Sequence, residues 1–326
     1  MKALLLEEKG QWKEMKAGQI EAPVPQKGEI LIKVHASGLN PVDYKTAANG
    51  NPAWTYPHVP GLDAAGTVEG LGEGVSGIEI GDRVVYHGDM TKGGSFAEYD
   101  TTPAHMVSII PEGVTFEDAA ALPTAGYTAY EALFRKMPIH TFKTILIQGG
   151  AGGVGGFAIQ LAKQAGLEVF TTASAENHDY VKSLGADHAI DYRSENVTEK
   201  VLELTGGRGV DAVLDTVSRQ TATEALDYIA YRGQLAHIAG APDTSTIKPF
   251  TKVISFHEIA LGAIHKADYE SQKDLAAMGD EMLQLLKDGK IQSLLAEKIS
   301  LEEIPDALVR LSERHVKGKI VAVINK

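Results

Sequence analysis

Six of the eight residues from Gly149 to Gly156 are glycine, and they contain the pattern Gly150-x-Gly152-x-x-Gly155. The pattern lies between an apolar run, Thr144 to Gln148, and a stretch where Val154, Ala158, Leu161, Ala162 and Ala165 recur at helical spacing. A bare glycine pattern is weak, but at a strand-to-helix turn it is a dinucleotide-binding signature. Gly150 permits the tight turn, Gly152 lets backbone approach a pyrophosphate, and Gly155 lets the helix pack closely on the sheet. The helix opening at Gly153 and Val154 then offers N–H groups and a positive dipole end to phosphates. The bland alternative is a flexible glycine-rich turn.

Which dinucleotide binds is read from the end of the next apolar run, Leu167 to Ala173. A carboxylate there would bind the adenosine ribose hydroxyls and favour NAD, but the run ends Thr171-Thr-Ala-Ser174 with no acid before Glu176. NADPH is therefore favoured and NADH stays open. His178, Lys182 and Arg193 are the nearest cations for a 2′-phosphate, although His178 and Lys182 read equally as members of a solvated helix face.

The elements that must position these residues change along the chain. Up to about residue 122 the pattern is of short strands and Gly-rich turns: Met1 to Leu6, Ile30 to Ala36 with apolar residues at period two, Gly66 to Gly70, Asp82 to Tyr86 and Ser95 to Tyr99. This predicts a mostly β, barrel-like unit. From about 124 to 262, apolar runs alternate with helical segments, as in a doubly wound α/β domain with a parallel sheet. Those runs are Thr144 to Gln148, Leu167 to Ala173, His188 to Tyr192, Val210 to Val217 and Gly233 to Ala239. After about 265 two helices are expected, the second opened by the capping box Ser300-Leu-Glu-Glu303. A closing strand, Lys319 to Ile324, could return to either unit.

Composition bounds the chemistry. The chain has 326 residues, enough for about two domains. Its net charge of −12, with no basic run, argues against nucleic acid and anionic membranes as partners. It has no cysteine, which excludes disulfides, thiolate nucleophiles and Cys-containing zinc sites. No apolar stretch approaches a membrane span and no targeting segment is visible, so the cytoplasm is expected.

Several motifs in register carry a family resemblance: Ala36-Ser-Gly-Leu-Asn-Pro-Val-Asp-Tyr-Lys45, Pro60-Gly-Leu-Asp-Ala-Ala-Gly-Thr-Val68, Ile80-Gly-Asp-Arg-Val84, Gly94-Ser-Phe-Ala-Glu-Tyr99, Ala121-Leu-Pro-Thr-Ala-Gly-Tyr-Thr-Ala129, the glycine loop and Gly318-Lys-Ile-Val321. The chain resembles the medium-chain dehydrogenases/reductases, in particular the zinc-independent quinone oxidoreductases and enone reductases. The resemblance implies a GroES-like catalytic domain (1–123 and 265–326) around a Rossmann domain (124–264), with the active site in the cleft. It also implies a homodimer or higher homo-oligomer, for which the apolar run Val253 to Leu261 is a candidate sheet edge.

Where the zinc-dependent relatives place a ligand Cys this chain matches Asn40, where they place a ligand His it has Leu62 followed by Asp63, and at the third ligand it has Thr124. No metal site is expected. Without a Lewis acid, hydride transfer suits an acceptor that is already electrophilic, a quinone or an α,β-unsaturated carbonyl. The resemblance places Asn40, Asp43, Tyr44 and Lys45 beside the nicotinamide and substrate. Asn40 would orient substrate or ribose, Tyr44 donate to the acceptor oxygen, Lys45 favour the anion, and Asp43 anchor the loop. It assigns Thr124 to cofactor binding, Thr128 to the nicotinamide end, Ser174 and Tyr192 to the adenosine end, Ile238 to Gly240 to a late loop, and Lys319 to covering the cofactor. Ser174 reads also as a turn residue, Tyr192 as a packing aromatic, and Trp54 to Tyr56 as a loop that could line an acceptor pocket. The other class open to such a chain is a dinucleotide-binding sensor or structural, crystallin-like protein.

Overall fold

The computed structural model describes residues 1–314 and 316–325. The chain forms two compact units, Met1–Tyr127 with Gly262–Lys326, and Thr128–Leu261.

In the first unit the organising strand is Glu29–Gly38, in which Ile30, Ile32, Val34 and Ala36 are fully buried. Ile30, Ile32 and Val34 pack with Val68, Val84 and Tyr86. Burying an aliphatic side chain of their size contributes about 1.5–3 kcal/mol, so these three positions bind the strand firmly to its sheet. The sheet runs in the order Leu295–Ser300, Lys319–Val323, Glu29–Gly38, Asp63–Leu71, Arg83–His87, Ser108–Ile109, and Tyr99–Pro103 also pairs with Glu29–Gly38. Two register shifts, at Leu31/Ile32 and Val34/Ala36, mark bulges where the long strand bends.

The last strand, Lys319–Val323, returns to this unit, antiparallel to Glu29–Gly38 with Val321 opposite Gly38. It is drawn there by a second core in which Ile320 and Ala322 join Leu39, Leu4, Phe96 and the helical stripe Ile304, Ala307 and Leu308. The capping box forms, with Glu303 Oε2 accepting from the Ser300 backbone N–H at 2.7 Å. The helix begins there as a 3₁₀ turn, Leu301–Glu303, before Ile304–Ser312.

Three expectations need correction. Ser95 to Tyr99 is no strand; the strand is Tyr99–Pro103. At Gly94 the backbone passes so close to Gly61 that a Cβ would lie 2.1 Å from the Gly61 oxygen, and Phe96 exchanges backbone bonds with Pro60 and Leu4 instead of a ladder partner. The strand expected at His188 to Tyr192 stops at Ile190, and Tyr192 is exposed. Leu295–Ser300 is a strand where the sequence showed no alternation, because its buried partner Lys319–Val323 supplies the apolar face.

The second unit is a six-stranded sheet, all parallel, in the order His188–Ile190, Glu168–Thr172, Thr144–Gln148, Val210–Asp215, Ile229–His237, Ser255–Glu258. Counting strands along the unit, this is 3-2-1-4-5-6, the Rossmann order, with the reversal at Thr144–Gln148 where ligands bind outside the strand ends. The central strands are buried on both faces, as their continuous apolar runs require. Val253 to Leu261 contributes the edge strand Ser255–Glu258.

Candidate functional site

In the second unit the strand Thr144–Gln148 leads through the glycine loop into the helix Gly153–Gln164. The three motif glycines differ in what the protein asks of them. A Cβ at Gly150 would lie 2.1 Å from Thr171 Oγ1, and one at Gly155 2.3 Å from the Gly149 oxygen, so both are demanded by packing. At Gly152 the nearest atom would be 3.5 Å away. The fold therefore tolerates a side chain at Gly152, and its bareness leaves a cradle that a Cβ would fill. Gly149 itself takes φ +75°, which makes the turn. The helix has Gly152 as N-cap and no acidic residue in its first turn, so the unpaired N–H groups of that turn and the positive end of the helix dipole are suited to an anion such as a phosphate.

At the end of Glu168–Thr172, Ser174 is buried and its hydroxyl accepts from Asn177 Nδ2 at 3.0 Å, the duty of a turn residue. The His178 ring lies 3.2 Å from the Ala173 carbonyl. Tyr192 is 54 % exposed, outside the buried core, and the Arg193 guanidinium lies 5.8 Å from its ring. Arg193 also donates to Glu176 Oε1 at 3.0 Å. The cation best presented at this strand end is thus Arg193, and it is already held by a carboxylate; Lys182 is exposed on the helix beyond. Thr128 is buried in a short helical segment, and Gly240 takes φ +150° after Ile238, whose N–H donates to the Asp215 carbonyl. Asp215 and His237, both buried at strand ends, carried no motif signal. Asp215 Oδ1 accepts the N–H groups of Val217 and Ser218 at 3.0 Å, and burial raises its carboxyl above the usual range.

In the first unit, residues far apart in sequence meet in one buried cluster. The helix Pro41–Asn49 is opened by Asn40, whose backbone N–H donates to Asp43 Oδ2 at 2.7 Å in a capping box. Asn40 Nδ2 donates to Asp63 Oδ2 at 2.8 Å. Thr124, in the π-helical segment Pro123–Tyr127, donates to Asp63 Oδ1 through both its N–H, at 2.9 Å, and its hydroxyl, at 2.6 Å. Lys319 Nζ donates to Asn40 Oδ1 at 2.5 Å and to the Leu39 carbonyl at 3.0 Å, and lies 3.5 Å from Asp63 Oδ2. Asp63 and Lys319 are 0 % and 3 % exposed. The Asn40 amide has one possible orientation here, because the opposite one would set its NH₂ against an ammonium.

Asp43 is the odd member. Its Oδ1 is buried with no hydrogen-bond partner. Burial, with the charge of Asp63, pushes its carboxyl up to about 8, against the Asn40 N–H and Lys319, which pull it down. Asp43 therefore carries a proton at neutral pH. It lines a recess of about 20 Å³, room for about one water molecule, together with Val42, Trp54, His58, Leu62 and Met90. Trp54 stacks on His58 at 3.9 Å and donates from Nε1 to the Met90 carbonyl at 2.7 Å. Burial pulls the His58 imidazole down to about 4, so it is neutral.

Of the four candidate catalytic residues, the cluster gathers Asn40 and Asp43. Tyr44 turns to Trp12, ring centroids 5.4 Å apart, and Lys45 is exposed, because a helix that buries Asp43 and Ala47 on one face sends the intervening positions elsewhere. Thr124 and Lys319, expected at the cofactor, belong to the same cluster, with hydrogen bonds to Asp63 and Asn40. Asp63 was noted only as the neighbour of Leu62; the polar residue inside an apolar strand start was the available signal.

The residues 26–112 match the family model of the alcohol dehydrogenase GroES-like domain, and 153–283 that of zinc-binding dehydrogenases. A chloroplastic quinone oxidoreductase of Triphysaria versicolor is 30 % identical over 318 residues, covering 94 % of this chain and 93 % of that protein. The chain belongs to the medium-chain dehydrogenases/reductases, in the quinone oxidoreductase branch. Among solved structures, the quinone oxidoreductase of Coxiella burnetii superposes with a TM-score of 0.83 at 30 % identity, covering 100 % of this chain and 99 % of that one. The Escherichia coli quinone oxidoreductase complexed with NADPH gives 0.88 at 26 % identity, covering 99 % and 100 %. This medium-chain reductase is thus an oxidoreductase of two units, GroES-like and Rossmann, that uses a nicotinamide cofactor. The zinc in the name of one family model finds no fit here. Zinc needs three protein ligands of N, S or carboxylate type, whereas Leu62 is apolar, Asn40 and Thr124 offer an amide and a hydroxyl, and the Lys319 ammonium sits on Asn40 and against Asp63. Among the described residues no group of three His, Cys, Asp or Glu could hold a metal ion, and no helix is long and apolar enough to cross a membrane.

Proposed function

We propose that this chain reduces quinones and α,β-unsaturated carbonyl compounds with NADPH, without a metal ion, and acts as a homo-oligomer. The observation that carries the metal-free reading is the Lys319 ammonium on Asn40 and against Asp63, which leaves these side chains no open coordination position. Lacking a Lewis acid, the protein suits acceptors that carry their own electron sink; a quinone or enone does, and a plain aldehyde does not.

When bound, the reduced nicotinamide supplies the hydride. The chain's own part begins with Gly152 and the amides of Gly153 to Gly155, which would hold the pyrophosphate. Tyr192 and Arg193 would meet the 2′-phosphate, for which Arg193 must exchange the Glu176 carboxylate. The absence of an acid at the strand end before Glu176 supports NADPH over NADH. In the GroES-like unit, Asp43 holds a proton on a buried carboxyl that lines the apolar recess of Trp54 and Met90. A protonated carboxyl there is a hydrogen-bond donor, which could reach an oxygen on which charge develops through the one water molecule the recess has room for. The edge strand Ser255–Glu258, with Phe256 39 % exposed, supports pairing with a second copy.

The test follows oxidation of NADPH and, separately, NADH with benzoquinone, a naphthoquinone, a simple enone and a plain aldehyde. Quinone or enone turnover with NADPH preferred is the expected result. Tight NADPH binding with no turnover on any of them would overturn the proposal and leave a dinucleotide-binding sensor or structural protein.

A further inference from the structure

A buried lysine is costly unless its protons and its charge are both met. At Lys319 they are. Its three N–H bonds match three oxygen acceptors, Asn40 Oδ1, the Leu39 carbonyl and Asp63 Oδ2. Burial pulls the Lys319 amine down from the ordinary lysine range, while Asp63 and Asp43 pull it up. The cage is also braced from outside. Thr124 holds the other oxygen of Asp63 with two donors, and a Cβ at Gly38 would lie 2.2 Å from the Ala120 carbonyl and 3.1 Å from Asp63 Cβ, so the strand can approach Asp63 only as glycine. Nothing in this arrangement serves the sheet, whose ladder is backbone. A carboxylate, an amide oxygen and a carbonyl converging on one point make a cation site, and the chain fills it with its own residue.

We propose that Lys319 is a built-in cation: its ammonium holds the position that a metal ion would need among Asn40 Oδ1, Asp63 Oδ2 and the Leu39 carbonyl, and it fixes Asn40 and Asp63 in place for the reaction. Lys319 is thus a positioning residue. It locks the Asn40 amide in one orientation, and through the Asn40 backbone sets the capped Asp43 carboxyl. The donor set is hard oxygen, so the site emptied of its lysine would take a small ammonium ion and would not take zinc.

The experiment uses the full chain. Lys319→Ala removes the side chain beyond Cβ, and n-propylammonium replaces what is lost; n-propanol, of the same heavy-atom count and neutral, is the control for bulk. The melting temperature and NADPH-dependent quinone reduction are both followed against the concentration of each additive. The variant should melt lower and lose kcat by about a hundredfold, as misplaced catalytic geometry does. Propylammonium should restore both, saturably, with propanol ineffective and added zinc not retained. Equal recovery with propanol, or a Lys319→Met variant with wild-type melting temperature and kcat, would overturn it.

Should Lys319→Ala fail to fold, the double variant Asp63→Asn/Lys319→Met removes both charges. An amide at 63 keeps both Thr124 donors and can donate to a turned Asn40. This double variant should regain the melting temperature that Lys319→Met alone loses while kcat stays low; wild-type kcat in the double variant would show that the pair serves folding alone and would sink the inference. The positioning role rests on the reductase reading, but the melting arm does not. Wild-type protein inactive on every acceptor would refute that reading, while recovery of melting temperature by propylammonium would still support the built-in cation.

Discussion

Asp43 Oδ2 accepts the backbone N–H of Asn40 at 2.7 Å while Asp43 Oδ1 is buried with no partner. Burial of the carboxyl, with the charge of Asp63 beside it, outweighs that one hydrogen bond and raises its value from the ordinary aspartate range to about 8. The folded state therefore binds a proton that the unfolded chain releases. By linkage, stability from this group is fully present at or below the unfolded aspartate pKa and is lost as pH rises through the window up to about 8. Asp43→Asn keeps an acceptor for the Asn40 N–H and removes the titration. Thermal melts of both proteins from pH 5 to pH 8 are expected to show the wild type losing stability relative to Asp43→Asn as pH increases. Parallel curves would contradict the protonated Asp43.

His58 and His87 act with the opposite sign. Burial pulls both down to about 4, so between there and the ordinary histidine value near 6.5 the unfolded chain binds the extra proton. Stability from these groups is present above 6.5 and is lost as pH falls toward about 4. His58→Phe preserves the stack on Trp54 and should weaken the acid sensitivity of the melting temperature. An unchanged acid limb would mean that His58 is protonated in the fold.

The glycine loop separates folding from binding. Gly152→Ala should melt within a few degrees of wild type, because its Cβ meets nothing closer than 3.5 Å. It should nevertheless weaken NADPH binding by about tenfold or more, as the methyl enters the pyrophosphate cradle. Gly155→Ala should do the reverse in emphasis, lowering stability markedly, since its Cβ would lie 2.3 Å from the Gly149 oxygen. Titration of NADPH fluorescence and thermal melts distinguish the two.

Much of this could be read from residues alone. The Rossmann unit was legible because parallel strands are continuous apolar runs and the glycine loop sits at a fixed place between the first of them and its helix. The strand Glu29–Gly38 announced itself by period two. The cluster was not legible as a cluster: Asn40 and Lys319 are separated by 279 residues and meet only because Lys319–Val323 pairs with Glu29–Gly38. Composition could not show that Lys319 faces inward, since lysine is ordinarily exposed. Tyr44 and Lys45 looked chemical from type and proximity, yet helical geometry gives the buried face to Asp43 and Ala47.

Cofactor preference should turn on Glu176 and Arg193, paired at 3.0 Å in an exposed position. A 2′-phosphate must displace Glu176 from Arg193. Glu176→Gln should therefore tighten NADPH and leave NADH almost unchanged, and Arg193→Gln should weaken NADPH by about tenfold relative to NADH, the worth of one charge-assisted contact. Equal effects of Arg193→Gln on the two cofactors would place the 2′-phosphate elsewhere.

The most direct measurement is NADPH-dependent quinone reduction by protein dialysed against a strong chelator, with zinc quantified in the same sample. Full turnover at zinc far below one atom per chain, unchanged when zinc is added back, is what the Lys319, Asn40 and Asp63 geometry predicts. Activity that vanishes on chelation and returns with zinc would contradict it.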